Sequence, residues 1–418
     1  MTRTRTPGIS RRSTLALMGA GAMSVAAPWV ARAQAKTIKV GMPTILSGRV
    51  AQLGTSSRNA VMLEVDKVNA AGGLAGRPIE MVIRDSKGQP QEAARVAREL
   101  VNTDGCEWLI WRGLVRIVRG ARGGARSRRA LRPHLLGGIL AHRRSEAAHP
   151  ERVPLRAPGH PRFHRRRQLC SGDLQSQGPE EVATCSPDYA YGRDTTGEFT
   201  LYLKRFAPDV EVISESWPKL FQPDYTEVVT KILQAKPQAL YSCLWGGDLT
   251  SYIDQANIYA MFSQMEVFAV NMADYTALTV VKNLPKGIHS GNRYIKTFPT
   301  TPENAAWGDA YKSKYNEYPT NWSWQNATAV MFLAEAAKKA NSTDGKKIAE
   351  VLAGLTIKCP FGADGTVTMR GDDHTLVGYA IGWGTTIPQE PYVPEVKAGD
   401  WKTIFELEAE WKKSKGYT

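Results

Sequence analysis

Short apolar runs bounded by Gly, Asp and Pro alternate with stretches of helical period, and this alternation constrains the fold more than any other feature of the chain. The pattern predicts strands over residues 37–41, 79–84 and 107–110, with helices over 53–70 and 90–102. It resumes with strands over 182–185, 210–217, 239–244 and 267–270, interleaved with helices over 192–206, 225–235 and 249–259. Parallel strands need a long crossover between them, usually a helix, so such a sequence specifies α/β lobes built on doubly wound parallel sheets. From Pro302 the chain turns helical (302–316, 324–340, 344–354) and closes with strands expected over 365–369 and 377–383. There is no repeat of solenoid length.

The first 35 residues read as an export signal: Arg11-Arg12 precede a weakly apolar stretch from Leu15 to Val30, and Ala31-Arg32-Ala33 gives a small-x-small cleavage pattern. The paired arginines resemble a twin-arginine signal, with an ordinary secretory signal as the alternative. The apolar run is too short and too rich in Gly and Ala for a membrane span, so a soluble, periplasmic product is expected. About 383 residues then remain, enough for two lobes with sizeable cores. Five scattered cysteines (Cys106, Cys170, Cys185, Cys243, Cys359) form no metal-spaced cluster and read as buried free thiols.

A net charge of +14 would suggest a nucleic-acid partner if it were spread over the surface. It is not. Residues 111–170 hold sixteen arginines against two acids, Glu146 and Glu151, a surplus equal to that of the whole chain. With the five arginines of the signal also set aside, the remainder carries −5, so no basic face is left to neutralise phosphates. The block contains no lysine, holds five of the seven histidines, and shows no sustained period of 2 or 3.6. A basic arm and a genuine insertion are two readings; translation out of frame over residues 111–180 is the one preferred. A one-base shift with free choice of wobble turns Trp111–Val118 into GEASSGSS and His134–His142 into TCSEASSLT, the Gly/Ser loops that the flanking pattern lacks.

The stretches PTILSGRVAQLG (43–54), AAGGLAGRPIEMVIRDSKGQPQEAARVARELV (70–101), SPDYAYG (186–192), LWGGDLTSYIDQA (244–256) and GADGTVTMRGDDH (362–374) together resemble the type I periplasmic binding proteins for branched-chain amino acids and related solutes. The resemblance implies two Rossmann-like lobes joined by a three-segment hinge, closing on a solute in the cleft between them. The first lobe is expected from residues 36–155 and 287–357, the second from 156–286 and 358–418 including a C-terminal tail. It also implies a receptor that delivers an amino acid to the permease subunits of an ABC importer, as a monomer, with no cofactor, metal or nucleic acid. Amide, urea or aromatic acid ligands are the alternative within the fold, and a cytosolic ligand-sensing regulator is a further one. A hydrolase or lyase is disfavoured: no GxSxG, HExxH or phosphate loop is present, and outside the block only His289 and His374 remain.

Carried over by position, the resemblance places Ser47, Gln52 and Leu53 in the first loop of lobe one, with a simple turn residue as the alternative for Ser47. Relatives often place an aromatic residue where this chain has Leu53. In lobe two it points to Tyr191 as the ring covering the ligand and to Trp245-Gly246 as cleft residues, with plain packing as the alternative for both rings. Asp274 is a candidate for an ammonium group or a helix cap, and Trp324 for the hinge side of the cleft or for the core. The family's main carboxylate-binding loops fall inside the arginine-rich block.

Overall fold

The computed structural model describes residues 36–111, 114–117, 179–292, 294–372, 375–414 and 416. Strand β1 (Ile38–Thr44) opens the first lobe, and α1 (Ala51–Ala70) carries the chain back to β2 (Ile79–Asp85). Helix α2 (Pro90–Asn102) then leads to β3 (Trp108–Trp111), and β4 (Leu114–Ile117) follows. The sheet order is β2-β1-β3-β4, with β1 parallel to both neighbours and β3–β4 antiparallel. Central β1 is buried at every position but Lys39, because a parallel strand inside a covered sheet is apolar on both faces.

The second lobe runs β5 (Glu181–Cys185), α3 (Ala190–Phe206), β6 (Glu211–Ser216), α4 (Thr226–Ala235), β7 (Ala239–Ser242), α5 (Gly246–Ile258), β8 (Glu266–Ala269), a single turn α6 (Tyr275–Leu278) and β9 (His289–Asn292). The chain next forms α7 (Pro302–Tyr315), α8 (Asn321–Ala340) and α9 (Gly345–Leu352). A small antiparallel sheet of β10 (Thr356–Lys358), β11 (Thr366–Met369) and β12 (Leu376–Val377) comes after them. Finally β13 (Gly382–Thr385) and β14 (Val396–Ala398) rejoin the second lobe, and α10 (Trp401–Ser414) ends the fold. The second lobe's sheet thus has the order β14-β13-β9-β8-β7-β5-β6, parallel from β6 through β9 and antiparallel at β13 and β14.

The long α8 is defined at both ends. A capping box closes its start, where the Thr320 side chain accepts from Trp322 N and Thr320 N donates to Ser323 Oγ, and Asn341 ends it with φ +43°. Its small polar residues let it lie close to α1: the Ser56 and Thr320 hydroxyls are 2.6 Å apart, and Asn326 Nδ2 donates to Ser57 Oγ at 3.1 Å. Buried Glu64 is satisfied by Trp307 Nε1 at 2.8 Å and by the Lys67 ammonium.

The cores correct the sequence-drawn lobe borders. The first core gathers Ile38, Val40, Trp108, Trp324 and Phe332, and then Cys359, Phe361, Val367, Tyr379 and Ile381, which the sequence had placed with lobe two. Ile288 packs in the second core, so the crossings fall near Tyr294 and after Ile381 rather than at 287 and 357. The strand expected over 377–383 is two strands in different sheets, β12 and β13, because the chain turns at Gly378 (φ +82°) and then crosses between lobes after Ile381. Helix α10 was not anticipated, although Trp401, Ile404, Leu407 and Trp411 repeat at helical spacing behind Asp400. Cys106, Cys185 and Cys359 are buried free thiols, Cys243 is buried, and burial pushes the Cys106 thiol up to about 11; Cys170 lies outside the described residues.

Candidate functional site

In a doubly wound sheet the carboxyl ends of the strands carry the loops that meet a ligand. Here the loops after β1, β5, β7 and β8 and the start of α8 converge between the lobes. The loop after β1 is fixed from below: Leu46 N donates to Asp85 Oδ1 at 2.9 Å and Ser47 Oγ to Asp85 Oδ2 at 2.6 Å. Burial tends to raise the Asp85 carboxyl, but hydrogen bonds from Ser47, Leu46 and Lys87 prevail and hold it below its usual value. Ser47 itself is exposed and serves to anchor the turn, the alternative reading given for it above.

Leu53 and Gln52 share the first turn of α1 but face opposite ways. Gln52 is exposed, whereas Leu53 is 5% exposed and packs with Ile45 and Val50 against Phe221, Trp245 and Trp322. This cluster joins the two lobes. Trp245 is its centre, with ring centroids 6.3 Å from Phe221 and 6.4 Å from Trp322. The Trp245 indole donates through Nε1 to Tyr189 Oη at 2.9 Å, so its polar edge is satisfied while its faces stay apolar.

Tyr191 lies 5.8 Å from Tyr189 between ring centroids, half-buried, and its hydroxyl accepts from Asn271 Nδ2 at 2.9 Å. Asn271 also donates to the carbonyls of Cys243 and Leu244 at 3.1 Å, which ties the loops after β5, β7 and β8 together. Gly246 opens α5 at φ +54°, and a Cβ there would stand 3.0 Å from Val50 Cγ1. The position favours glycine on both grounds.

Two of the sequence candidates are structural. Asp274 caps α6: Oδ1 accepts from Thr276 N at 2.9 Å and from Thr276 Oγ1 at 2.7 Å, and Oδ2 accepts from Asn321 N at 2.8 Å. It is 5% exposed and pins the start of α8 rather than presenting a free carboxylate. Trp324 is 2% exposed, donates to Asn321 Oδ1 at 3.0 Å, and packs on Phe361 and Tyr379 in the first core. The ring that reaches the cleft is Trp322, two residues earlier, together with Tyr189, Phe221, Asn271 and Arg49, none of which the sequence had marked. Tyr189 and Arg49 do lie inside quoted motifs; Trp322 and Phe221 carry no signal apart from being aromatic. Of the Gly/Ser-rich loops implied for carboxylate binding, the first coincides with residues 111–118, where Trp111 ends β3 and residues 114–117 form β4 instead of a loop, and the second lies outside the described residues.

A family profile described as periplasmic binding protein matches residues 37–111 and 172–381, stopping at the end of β3 and resuming just before β5. Among curated relatives, the leucine-, isoleucine-, valine-, threonine-, and alanine-binding protein of Pseudomonas aeruginosa is 25% identical over 78% of this chain and 85% of its own length. Leu/Ile/Val-binding protein homolog 4 of Brucella abortus is 23% identical over 82% of this chain and 83% of its own length. A solved solute-binding protein of an ABC transporter from Rhodopseudomonas palustris, in complex with 3,4-dihydroxybenzoic acid, superposes with TM-score 0.68 at 20% identity, covering 87% of this chain and 96% of that one. A branched-chain amino acid transporter substrate-binding protein from Streptococcus pneumoniae, in complex with isoleucine, gives TM-score 0.65 at 19% identity over 87% and 99%. At those identities the structural likeness is one of fold. With strand-end loops meeting between two doubly wound lobes and the profile matching most of the chain, this protein belongs to the periplasmic binding protein family.

Proposed function

We propose that this chain is an exported receptor that closes around a small organic carboxylate, in the first instance a branched-chain or related amino acid, and delivers it to an ABC importer without chemistry of its own. The carrying observation is the aromatic cluster in which Trp245 and Phe221 of one lobe meet Trp322 of the other. Such a cluster gives apolar walls to a cleft whose strand-end amides supply polar contacts. The names of the curated relatives support the amino acid reading. The described histidine, His289, fits a packing role: its ring stacks on Phe268 at 4.8 Å and on Trp383 at 6.3 Å.

One observation favours aromatic acids as a second reading. Asp274, the carboxylate expected to meet an ammonium group, is committed to Thr276 and Asn321. An aromatic carboxylate needs no such partner and would use the rings of Tyr189, Tyr191 and Trp245. Thermal-shift and calorimetric titration with L-leucine, L-isoleucine, benzoate and 4-hydroxybenzoate separates the readings. A true ligand at a hundredfold its Kd stabilises by about 2.7 kcal/mol. No response to any of them would remove the proposal.

Export through a twin-arginine signal belongs to the same reading, although residues 1–35 lie outside the described ones. Among the described residues no helix is long and apolar enough to cross a membrane. The reading further treats the arginine-rich block as out of frame, in keeping with a family match that breaks off at 111 and resumes at 172.

A further inference from the structure

Arg49 reaches from the first lobe into the rim of the second, 172 to 202 residues away in sequence. Its Nη1 donates to the carbonyls of Phe221 at 3.3 Å and Gln222 at 3.1 Å; its Nη2 donates to Ser251 Oγ at 2.6 Å and the Gly247 carbonyl at 3.5 Å. Key and seat are each rigid within their own lobe. The loop bearing Arg49 is held by Asp85 through Leu46 and Ser47. The Phe221 turn is held by buried Asp248, whose Oδ2 accepts from Phe221 N at 2.9 Å. The surfaces around the contact fit closely as well: a Cβ on Gly247 would stand 2.8 Å from the Arg49 carbonyl, and one on Gly246 would meet Val50.

We propose that Arg49 is a closure latch, a protein–protein contact that favours the closed lobes independently of the solute and thereby sets how tightly the solute is held. A guanidinium suits the task because its planar fork of five donors serves several acceptors at once, which an ammonium on a flexible stem does not. Four acceptors of one lobe, two on the Phe221 turn and two on α5, are engaged by a single side chain of the other, so the whole set is lost when the hinge opens. A bias toward the closed state raises the population competent to retain solute, and apparent affinity follows that population. The inference rests on the hinge-closing receptor reading and adds to it a residue that touches no ligand.

The test is small-angle scattering of the full chain, without added solute and then with L-leucine or 4-hydroxybenzoate, for wild type, Arg49→Ala, Arg49→Lys, Ser251→Ala and Gly247→Ala. Without solute, Arg49→Ala should have a larger radius of gyration than wild type, with Arg49→Lys and Ser251→Ala between them. Gly247→Ala should expand the molecule as well, by steric means. With the solute that wild type binds, Arg49→Ala should need about tenfold more to close, mainly through faster release. Unchanged scattering and affinity in Arg49→Ala would overturn the latch even if wild type binds normally. An expanded Arg49→Ala with no response of wild type to either solute would keep the latch and reject the ligand assignment. Arg49 is exposed, so its removal leaves the cores intact.

Discussion

Among the described residues, the two lobes begin from the same βαβ plan and diverge in how far they carry it. The second lobe's sheet runs through seven strands, parallel from β6 to β9, with its crossovers formed by α3, α4, α5 and the segment containing α6. In the first lobe the parallel order extends from β2 through β1 to β3, and then β4 turns back antiparallel. A parallel neighbour there would require a crossover of a dozen or more residues. The chain reaches β4 two residues after β3, at the point where its sequence loses apolar period and the family match stops. Among the described residues, the parallel order of the first lobe stops where the patterned sequence stops, and that of the second continues through β9.

The largest expected effect breaks this asymmetry outright. Replacing residues 111–180 with the one-base-shifted translation should convert a poorly cooperative melt into a single cooperative one, the gain being a whole lobe's stability, about 5–15 kcal/mol. Scanning calorimetry of both chains decides it; an equally cooperative melt of the chain as written would sink the out-of-frame reading.

A second pair of changes sharpens the contrast between core and cleft within one helix. Trp324→Ala should cost about 3–5 kcal/mol in urea denaturation, because the ring fills the first core. Trp322→Ala and Trp245→Ala should cost about 1 kcal/mol or less in stability yet weaken solute binding by about tenfold or more. Equal stability losses for all three would refute the division.

A third change concerns the element that unites the lobes. Helix α10 places Ile404 in the first core and Leu407 and Trp411 against Tyr202 of the second lobe, where the Tyr202 hydroxyl donates to the Leu407 carbonyl at 2.7 Å. Arg370 grips Glu408 on this helix with two bonds of 2.8 and 3.0 Å, and Glu408 is 2% exposed. Arg370→Met should destabilise by about 3 kcal/mol by leaving a buried carboxylate short of its main partner. A melting midpoint equal to wild type would show that α10 is merely appended.

The smallest effect is one of pH. The Asp85 carboxyl is held below its ordinary value in the folded chain, so its stabilisation is present at neutral pH and fades as pH falls from the unfolded value, about 4, through the lowered folded one. Asp85→Asn should therefore be less stable than wild type near pH 7 and converge with it under acid, as urea midpoints across pH would report. A constant gap would remove Asp85 as the anchor of the Arg49 loop.

Most of the fold was legible because strand and helix periods survive in both flanks. The helix over 90–102 follows directly from them, whereas β1 runs on to Thr44 and β7 stops at Ser242, so the strand ends were displaced by two or three residues. The site was legible only in part. Motifs led to the 47–53 loop, to Tyr191 and to Trp245-Gly246, all of which stand at the cleft or anchor its rim. The same reading chose Trp324, where it expected the helix to start, over Trp322, which lies before that start but inside α8.

What the sequence determined by itself was therefore the α/β class, most of the order of elements, and the confinement of charge to one block. Period and composition are local properties and need no partner to be read. The tertiary structure alone decided which ring faces the cleft, because two residues apart on a helix means opposite faces and the rotation of α8 is fixed by its cap and by α1. It also decided that Asp274 caps two helix starts and that Arg49 finds carbonyls in the other lobe. Those roles depend on groups 47 to 202 residues apart meeting in the folded chain, and no local pattern encodes that.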